Sequence, residues 1–85
     1  MIFPHATKRA LVAMLRSKGQ AIPAVKDTVL TNVGHSFFLS WHDGEGVPHK
    51  AYYTAVAGRP IVTVDGELLI LTMPDVLHYK LFKER

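Results

Sequence analysis

The stretch PIVTVDGELLILT, residues 60–72, decides the fold class of this chain. Two β-rich runs flank Asp65-Gly66, a dipeptide typical of the two-residue type I′ turn, which needs positive φ at both central positions. The two-residue length of such a turn fixes the register of an antiparallel hairpin. A slip of one residue would move every side chain to the other face of the sheet. The predicted partners are Val64 with Glu67, Val62 with Leu69, and Ile61 with Ile70.

Both faces of this predicted hairpin are apolar. One face carries Val62, Val64, Leu69 and Leu71, and the other carries Ile61, Thr63, Leu68 and Ile70. Apolar surface is favourable only when it is removed from water, so both faces need a cover. We expect that cover to come from helices, from curling of the sheet into a barrel, or from another subunit.

Helix and strand periodicities place further elements before this hairpin. A helix is predicted over residues 7–19, where Leu11, Met14 and Leu15 form an apolar stripe and Gly19 stands at the C-cap. Strand-like patterns occur in three further segments, residues 28–33, 36–42 and 50–56.

The C-terminal segment, residues 72–85, is predicted to form a second helix, with an edge strand as the alternative. Thr72 and Asp75 have the spacing of a capping box, and Pro74 is tolerated in a first helical turn. The sequence therefore predicts one α+β domain over residues 1–85. It has an N-terminal helix, an antiparallel sheet of four to five strands and a short C-terminal helix, and a curled, barrel-like sheet is the main alternative.

Composition narrows the class of protein. A chain of 85 residues makes one small domain, and a hydrophobic content of 48% excludes intrinsic disorder. No apolar run approaches the roughly 18 residues that cross a bilayer, so no membrane partner is expected. The absence of cysteine excludes disulfides and thiol nucleophiles, and it suits a reducing compartment such as the cytoplasm.

The apolar content predicts association. A mean hydropathy of +0.12 is high for a small domain, which cannot bury all of its apolar surface by itself. We therefore expect a homo-oligomer, most simply a two-fold dimer, or docking to another protein. The candidate interface residues are Phe37, Leu39, Trp41, Tyr52, Tyr53, Ile61, Leu68 and Ile70.

The charges are segregated along the chain, whose net charge is +3. Residues 1–26 hold five cations and no acid, whereas residues 27–75 hold six acids and two cations. The basic ends can either contact a polyanion or lie over the acidic middle within the fold. For nucleic acid, the candidate contacts are Lys8, Arg9, Arg16, Lys18, Lys80, Lys83 and Arg85, with Trp41, Tyr52 and Tyr53 as stacking platforms.

The histidines are the candidates for chemistry. If residues 36–42 and 49–56 pair across the loop between them, His42 and His49 could face each other near Asp43 and Glu45, as a divalent metal or acid–base catalysis would need. The H-x₆-H spacing matches no established ligand pattern, and His35 has no evident general acid beside it. We therefore predict no metal, no cofactor and no catalytic residue.

These observations favour a small non-enzymatic binding module, homo-oligomeric, that acts as an accessory or regulatory protein by docking to another macromolecule. The alternative is a nucleic-acid-binding protein that uses its basic N- and C-terminal helices. A small metal- or histidine-dependent hydrolase or nuclease is the third hypothesis.

Overall fold

The computed structural model of the protein describes residues 8–34, 36–57 and 59–79, without the side chains of residues 73, 76 and 77. The predicted N-terminal helix and antiparallel sheet are confirmed, and the sheet has five strands. In chain order the elements are α1 (Lys8–Ser17), a 3₁₀ turn (Val25–Asp27), β1 (Val29–Val33), β2 (Ser36–His42), β3 (Pro48–Val56), β4 (Arg59–Val64), β5 (Glu67–Leu69) and α2 (Met73–Tyr79).

The sheet is an open antiparallel meander in the order β1-β2-β3-β4-β5, so each strand pairs with the next strand of the chain. Within the described residues, β1 and β5 are the two edges and do not pair with each other. The barrel-like alternative therefore does not describe this sheet.

The β4–β5 hairpin has the predicted turn. Asp65 and Gly66 adopt φ values of 51° and 88°, the left-handed conformation that a type I′ turn needs at both central positions. The predicted pairs of Val64 with Glu67 and Val62 with Leu69 are present.

The third predicted pair of this hairpin, Ile61 with Ile70, is absent because β5 ends at Leu69. Beyond that residue the chain leaves the sheet for α2. Thr72 and Asp75 exchange the bonds of a capping box there: the Thr72 amide donates to Asp75 Oδ2 at 3.0 Å, and the Asp75 amide donates to Thr72 Oγ1 at 3.4 Å. Residues 80–85 of the predicted helix lie outside the described residues.

Helix α1 ends as its sequence predicts. Gly19 has a φ of 92°, and its amide donates to the carbonyl of Arg16 while the Gln20 amide donates to the carbonyl of Leu15. This pair of bonds is the Schellman motif, which satisfies carbonyls at the end of a helix. The helix thereby stops at a defined point and the chain turns towards the sheet.

The core lies between α1 and one side of the sheet, which we call the inner face. Four side chains from successive turns of α1 are fully buried against this face. Ile22, from the following loop, is buried beside them. The buried residues are Leu11, Val12, Met14, Leu15 and Ile22 on the helix side, and Leu39, Trp41, Ala51, Tyr53, Val62 and Val64 on the sheet side.

The opposite side of the sheet, which we call the outer face, has no helix over it in the described part of the chain. Leu71 precedes α2 and Tyr79 is its last residue, and both pack against the core beneath α1. Helices α1 and α2 therefore lie on the same side of the sheet. By strand alternation the outer-face positions are Val29, Thr31, Val33, Ser36, Phe38, Ser40, His42, Pro48, Lys50, Tyr52, Thr54, Val56, Arg59, Ile61, Thr63 and Leu68. No described helix is long and apolar enough to span a membrane.

Candidate functional site

Three of the four N-terminal cations predicted to contact nucleic acid also form bonds within the fold. Lys8 Nζ donates to the Thr28 carbonyl at 2.9 Å, and the Arg16 guanidinium donates to the carbonyl of Ile22 at 3.1 Å. Lys18 forms an ion pair with Asp75 at 3.0 Å, which joins the basic N-terminal segment to the acidic middle of the chain.

The remaining cation of α1 is Arg9, which is exposed. The three predicted C-terminal cations, Lys80, Lys83 and Arg85, lie outside the described residues. Arg16 and Lys18 are exposed as well, and a bond to a neutral carbonyl leaves the charges of Lys8 and Arg16 in place, so the basic surface of the N-terminal segment stays a prediction. The internal interpretation of the segregated charges accounts for Lys18, which pairs with the carboxylate of Asp75.

Three predicted interface residues belong to the core. Leu39, Trp41 and Tyr53 are at most 3% exposed because they lie on the inner face beneath α1. In a single chain they can serve neither as docking residues nor, for Trp41 and Tyr53, as stacking platforms. Phe37 also lies on the inner side, where its ring packs edge-on against Tyr53 at 6.4 Å.

The other predicted interface residues lie where a partner can reach them. Tyr52, Ile61 and Leu68 project from the outer face, and Leu68 is 62% exposed. Ile70 follows the end of β5 and is 76% exposed. Phe38 was not among the predicted interface residues, because the residue alternation of β2 places aromatic side chains on both sides of the strand and does not say which side the helix covers.

An aromatic pair occupies the centre of the outer face. Phe38 on β2 is the register partner of Tyr52 on β3, and their ring centroids are 4.8 Å apart with the planes tilted by 38°. Lys50, one outward position along β3, places Nζ 5.0 Å from the centroid of the Phe38 ring, which is cation–π geometry. The two rings and the ammonium group form one contiguous patch.

Hydroxyl groups fix this patch from one side. Ser36 Oγ lies 3.1 Å from the Tyr52 hydroxyl and donates to Thr54 Oγ1 at 3.0 Å. These bonds run across β2 and β3, because Ser36 and Thr54 are in register on the same face. The Tyr52 ring is therefore held at its polar end, which reduces the entropy that it would lose on binding a ligand.

The charged strand residues of the outer face are all positive. They are Lys50 and Arg59, and none of the described strand positions of this face is Asp or Glu. Asp65, in the adjoining turn, accepts bonds from the Lys50 amide and from His49. Around the aromatic centre, the exposed apolar side chains are Val29, Val33, Val56 and Leu68.

A second cluster joins the two loops at one end of the sheet. His49 on β3 places Nε2 2.9 Å from Asp43 Oδ2 and Nδ1 2.7 Å from Asp65 Oδ2. Hydrogen bonds, to Asp43 first and then to Asp65, raise the pKa of His49 above its ordinary value. The same bonds from His49 lower the pKa values of Asp43 and Asp65.

The predicted pairing of His42 with His49 does not occur. In the β2–β3 register His49 is opposite Trp41, with the two rings stacked at 5.7 Å, whereas His42 is opposite Pro48 and projects from the outer face. The two imidazoles thus lie on opposite sides of the sheet and cannot share a metal ion. No cluster with metal-binding geometry occurs among the described residues.

Both nitrogens of the His49 ring are hydrogen-bonded to carboxylates, and this arrangement decides whether His49 can act as a general base. A general base needs a free nitrogen lone pair, whereas an imidazolium that donates to two carboxylates has none. The cluster is therefore a structural link between the β2–β3 loop and the β4–β5 turn. Asp65 was missed as a partner of His49 because the two are 16 positions apart, although the β3–β4 register would have brought them together.

No protein-family model, no curated protein and no solved structure matches this chain. Its function is therefore inferred from the outer face and the His49 cluster.

Proposed function

We propose that this protein is a non-enzymatic binding module that docks onto another macromolecule through its outer face. The observation that supports this proposal is that both described helices cover the inner face, while the outer face keeps Phe38, Tyr52, Ile61 and Leu68 at least partly accessible. Open apolar patches on small proteins commonly mark binding surfaces. Full burial of an exposed aliphatic side chain contributes about 1.5–3 kcal/mol, so covering this face would be strongly favourable.

An accessory or regulatory role fits this surface, because the patch combines aromatic, hydroxyl and cationic groups without a catalytic constellation in the described residues. The absence of cysteine is the reason to place the protein in a reducing compartment, the cytoplasm. The continuation of α2 beyond Tyr79 into a longer basic helix remains part of the proposal.

Self-association is the quaternary structure that we propose, and β1 offers the edge for it. An edge strand is usually protected by charged residues or proline, and the sequence VLTNV of β1 contains neither. A second copy added at this edge would extend the sheet and leave the outer face free. Sedimentation equilibrium at micromolar concentration should give a dimer, and Thr31→Lys should convert it to a monomer.

The docking surface is tested by photo-crosslinking in cells. A photoreactive phenylalanine analogue replaces Thr63, which lies between Tyr52 and Leu68 on the outer face, and in a matched control it replaces Ser17 at the exposed end of α1. We expect a defined adduct from position 63 and none from position 17. Absence of an adduct at position 63, or equal adducts at both positions, would overturn the proposal.

A further inference from the structure

We infer that the outer face binds single-stranded nucleic acid, with bases on Phe38 and Tyr52 and phosphates at Lys50 and Arg59. This inference rests on the proposed function, since it names the partner of the same surface. It also moves the nucleic-acid hypothesis from the helices, where the sequence placed it, to the sheet.

Charge complementarity is the first argument. The outer face carries two cations at its strand positions and no carboxylate, whereas the acidic residues lie in the turns, at β5 or on the helix side. Asp43 and Asp65 share the one charge of a protonated His49, and Asp75 is bonded to Lys18, so the charges of these three acids are partly offset. A phosphate backbone would meet a positive surface here without strong repulsion.

The aromatic pair supplies the second argument. Phe38 and Tyr52 are partly exposed neighbours on adjacent strands of an open antiparallel sheet, and such rings can stack on unpaired bases. The Tyr52 hydroxyl is fixed by Ser36, which in turn donates to Thr54. The platform therefore exists before any ligand arrives.

Lys50 connects the two halves of the proposed site. Its ammonium group lies 5.0 Å from the centroid of Phe38, so a base stacked on that ring would bring its phosphate within reach of the same side chain. Lys50 would then exchange a cation–π contact for an ion pair with the phosphate. One flexible cation thus serves both the free and the bound state.

Other occupants fit this face less well. A duplex keeps its bases stacked, and the described sheet has no projecting helix or ribbon that could enter a groove. A second copy packed face to face would bury Lys50 and Arg59 of both chains with no carboxylate at the described outer-face strand positions to pair them, and interface centres are depleted in charge. The chemistry of the patch therefore favours a flexible polyanion with unpaired bases.

The test is fluorescence anisotropy of the full chain with labelled oligo(dT) and oligo(U) of about 12 nucleotides, a length within the footprint of one sheet platform. A DNA duplex of the same length serves as the competing ligand. We expect saturable binding of the single strands that is tighter than binding of the duplex. Between about 50 and 200 mM salt, the affinity should fall with a log–log slope of about −0.7 per phosphate contacted.

Substitutions then locate the site. Phe38→Ala and Tyr52→Ala should each weaken binding about 5- to 150-fold, the range for loss of one stacked base, while Tyr52→Phe should retain most of the affinity. Lys50→Ala and Arg59→Ala should each reduce the salt slope by about 0.7. Arg9→Ala removes the same charge from α1, on the other side of the molecule, and should change nothing. Circular dichroism checks that each variant is folded.

Several results would overturn the inference: no saturable binding at low salt, tighter binding of the duplex, unchanged affinity in folded Phe38→Ala and Tyr52→Ala, or an Arg9→Ala effect equal to that of Lys50→Ala. The crosslinking experiment at position 63 distinguishes failure of the nucleic-acid inference from failure of the proposed function. A nuclease-sensitive adduct supports the inference. A nuclease-resistant adduct that protease removes would retain the docking surface and overturn nucleic acid as its ligand.

Discussion

At the scale of single residues, His49 is the group whose charge connects distant parts of the chain. It bonds to Asp43 in the β2–β3 loop and to Asp65 in the β4–β5 turn, and its ring stacks on Trp41. Both carboxylates also accept backbone amides, from Glu45 and Val47 in one loop and from Lys50 beside the other. Protonation of one imidazole thus affects the geometry of two turns.

This cluster should make the stability of the protein depend on pH. The pKa of His49 is raised from 6.5, so its contribution is complete below that pH and is lost as pH rises through the raised value. The pKa values of Asp43 and Asp65 are lowered from 3.8, so their contributions are present above that pH and are lost on acidification. The cluster should stabilise the fold most between about pH 4 and 6.5.

Thermal unfolding of the wild type and His49→Gln across this range tests the prediction. The difference in Tm should be largest in mildly acidic buffer and should shrink as the pH rises above neutrality. The double variant Asp43→Asn/Asp65→Asn, which keeps His49 but removes both charges, should lose the same dependence. Parallel pH profiles for wild type and His49→Gln would contradict the prediction.

Ala57 is a second residue with a specific energetic consequence. It stands in the connection between Val56 and Arg59 with a φ of 54°, a conformation that disfavours residues with a Cβ, whereas asparagine tolerates it better. Ala57→Asn should therefore stabilise the fold by about 0.5–1 kcal/mol, measured by urea denaturation. The control is Ala21→Asn, at an exposed residue that does not have a positive φ, and it should not stabilise the fold. Equal changes in stability in the two variants would contradict relief of backbone strain at Ala57.

At the scale of elements, the β4–β5 hairpin depends on its turn. Gly66 has a φ of 88° and open space around the position of a Cβ, so a substitution there would be penalised by backbone conformation alone. Gly66→Ala should destabilise the protein by about 1 kcal/mol or more, which corresponds to about 4–8 °C in Tm for a domain of this size.

The matched control for the turn is Gly44→Ala in the β2–β3 loop. Gly44 also has open space but no positive φ, so its replacement should stay within about 0.5 kcal/mol of the wild type. Comparable losses at both glycines in thermal denaturation would show that the turn conformation is not what matters.

Two leucines, one on β2 and one on β5, distinguish the two faces of the sheet. Leu39 is fully buried beneath α1, so Leu39→Ala should cost about 2–5 kcal/mol. Leu68 is 62% exposed on the outer face, so Leu68→Ala should cost less than about 0.5 kcal/mol. Guanidinium denaturation of both variants measures the difference, and similar losses would mean that the outer face is covered in solution.

The sequence predicts those elements whose signals are local. The Asp65-Gly66 turn and the C-cap at Gly19 depend on residues adjacent in the chain, and both occur as expected. The orientation of β2 could not be predicted in this way. Phe37 and Phe38 point to opposite sides, and only the packing of α1 decides which of them faces the core.

At the scale of the whole molecule, the described residues cover one side only of the hairpin that is apolar on both sides. Of the three covers expected from the sequence, helices supply the inner one and the sheet does not close into a barrel. The candidate site therefore followed from a tertiary fact that no local pattern contains. Likewise, no local pattern predicts that Lys18 bonds to Asp75, which lies 57 positions further along the chain.

The sequential order of the five strands has a consequence for how the chain reaches this structure. Every strand pair is closed by a short connection, so contact order within the sheet is low and little loop-closure entropy opposes each pairing step. We expect single-exponential refolding within about milliseconds, measurable by stopped-flow fluorescence of Trp41, with unfolded chains exposing their β-rich segments only briefly. The meander thus gives a chain with an uncharged edge strand a kinetic defence against aggregation.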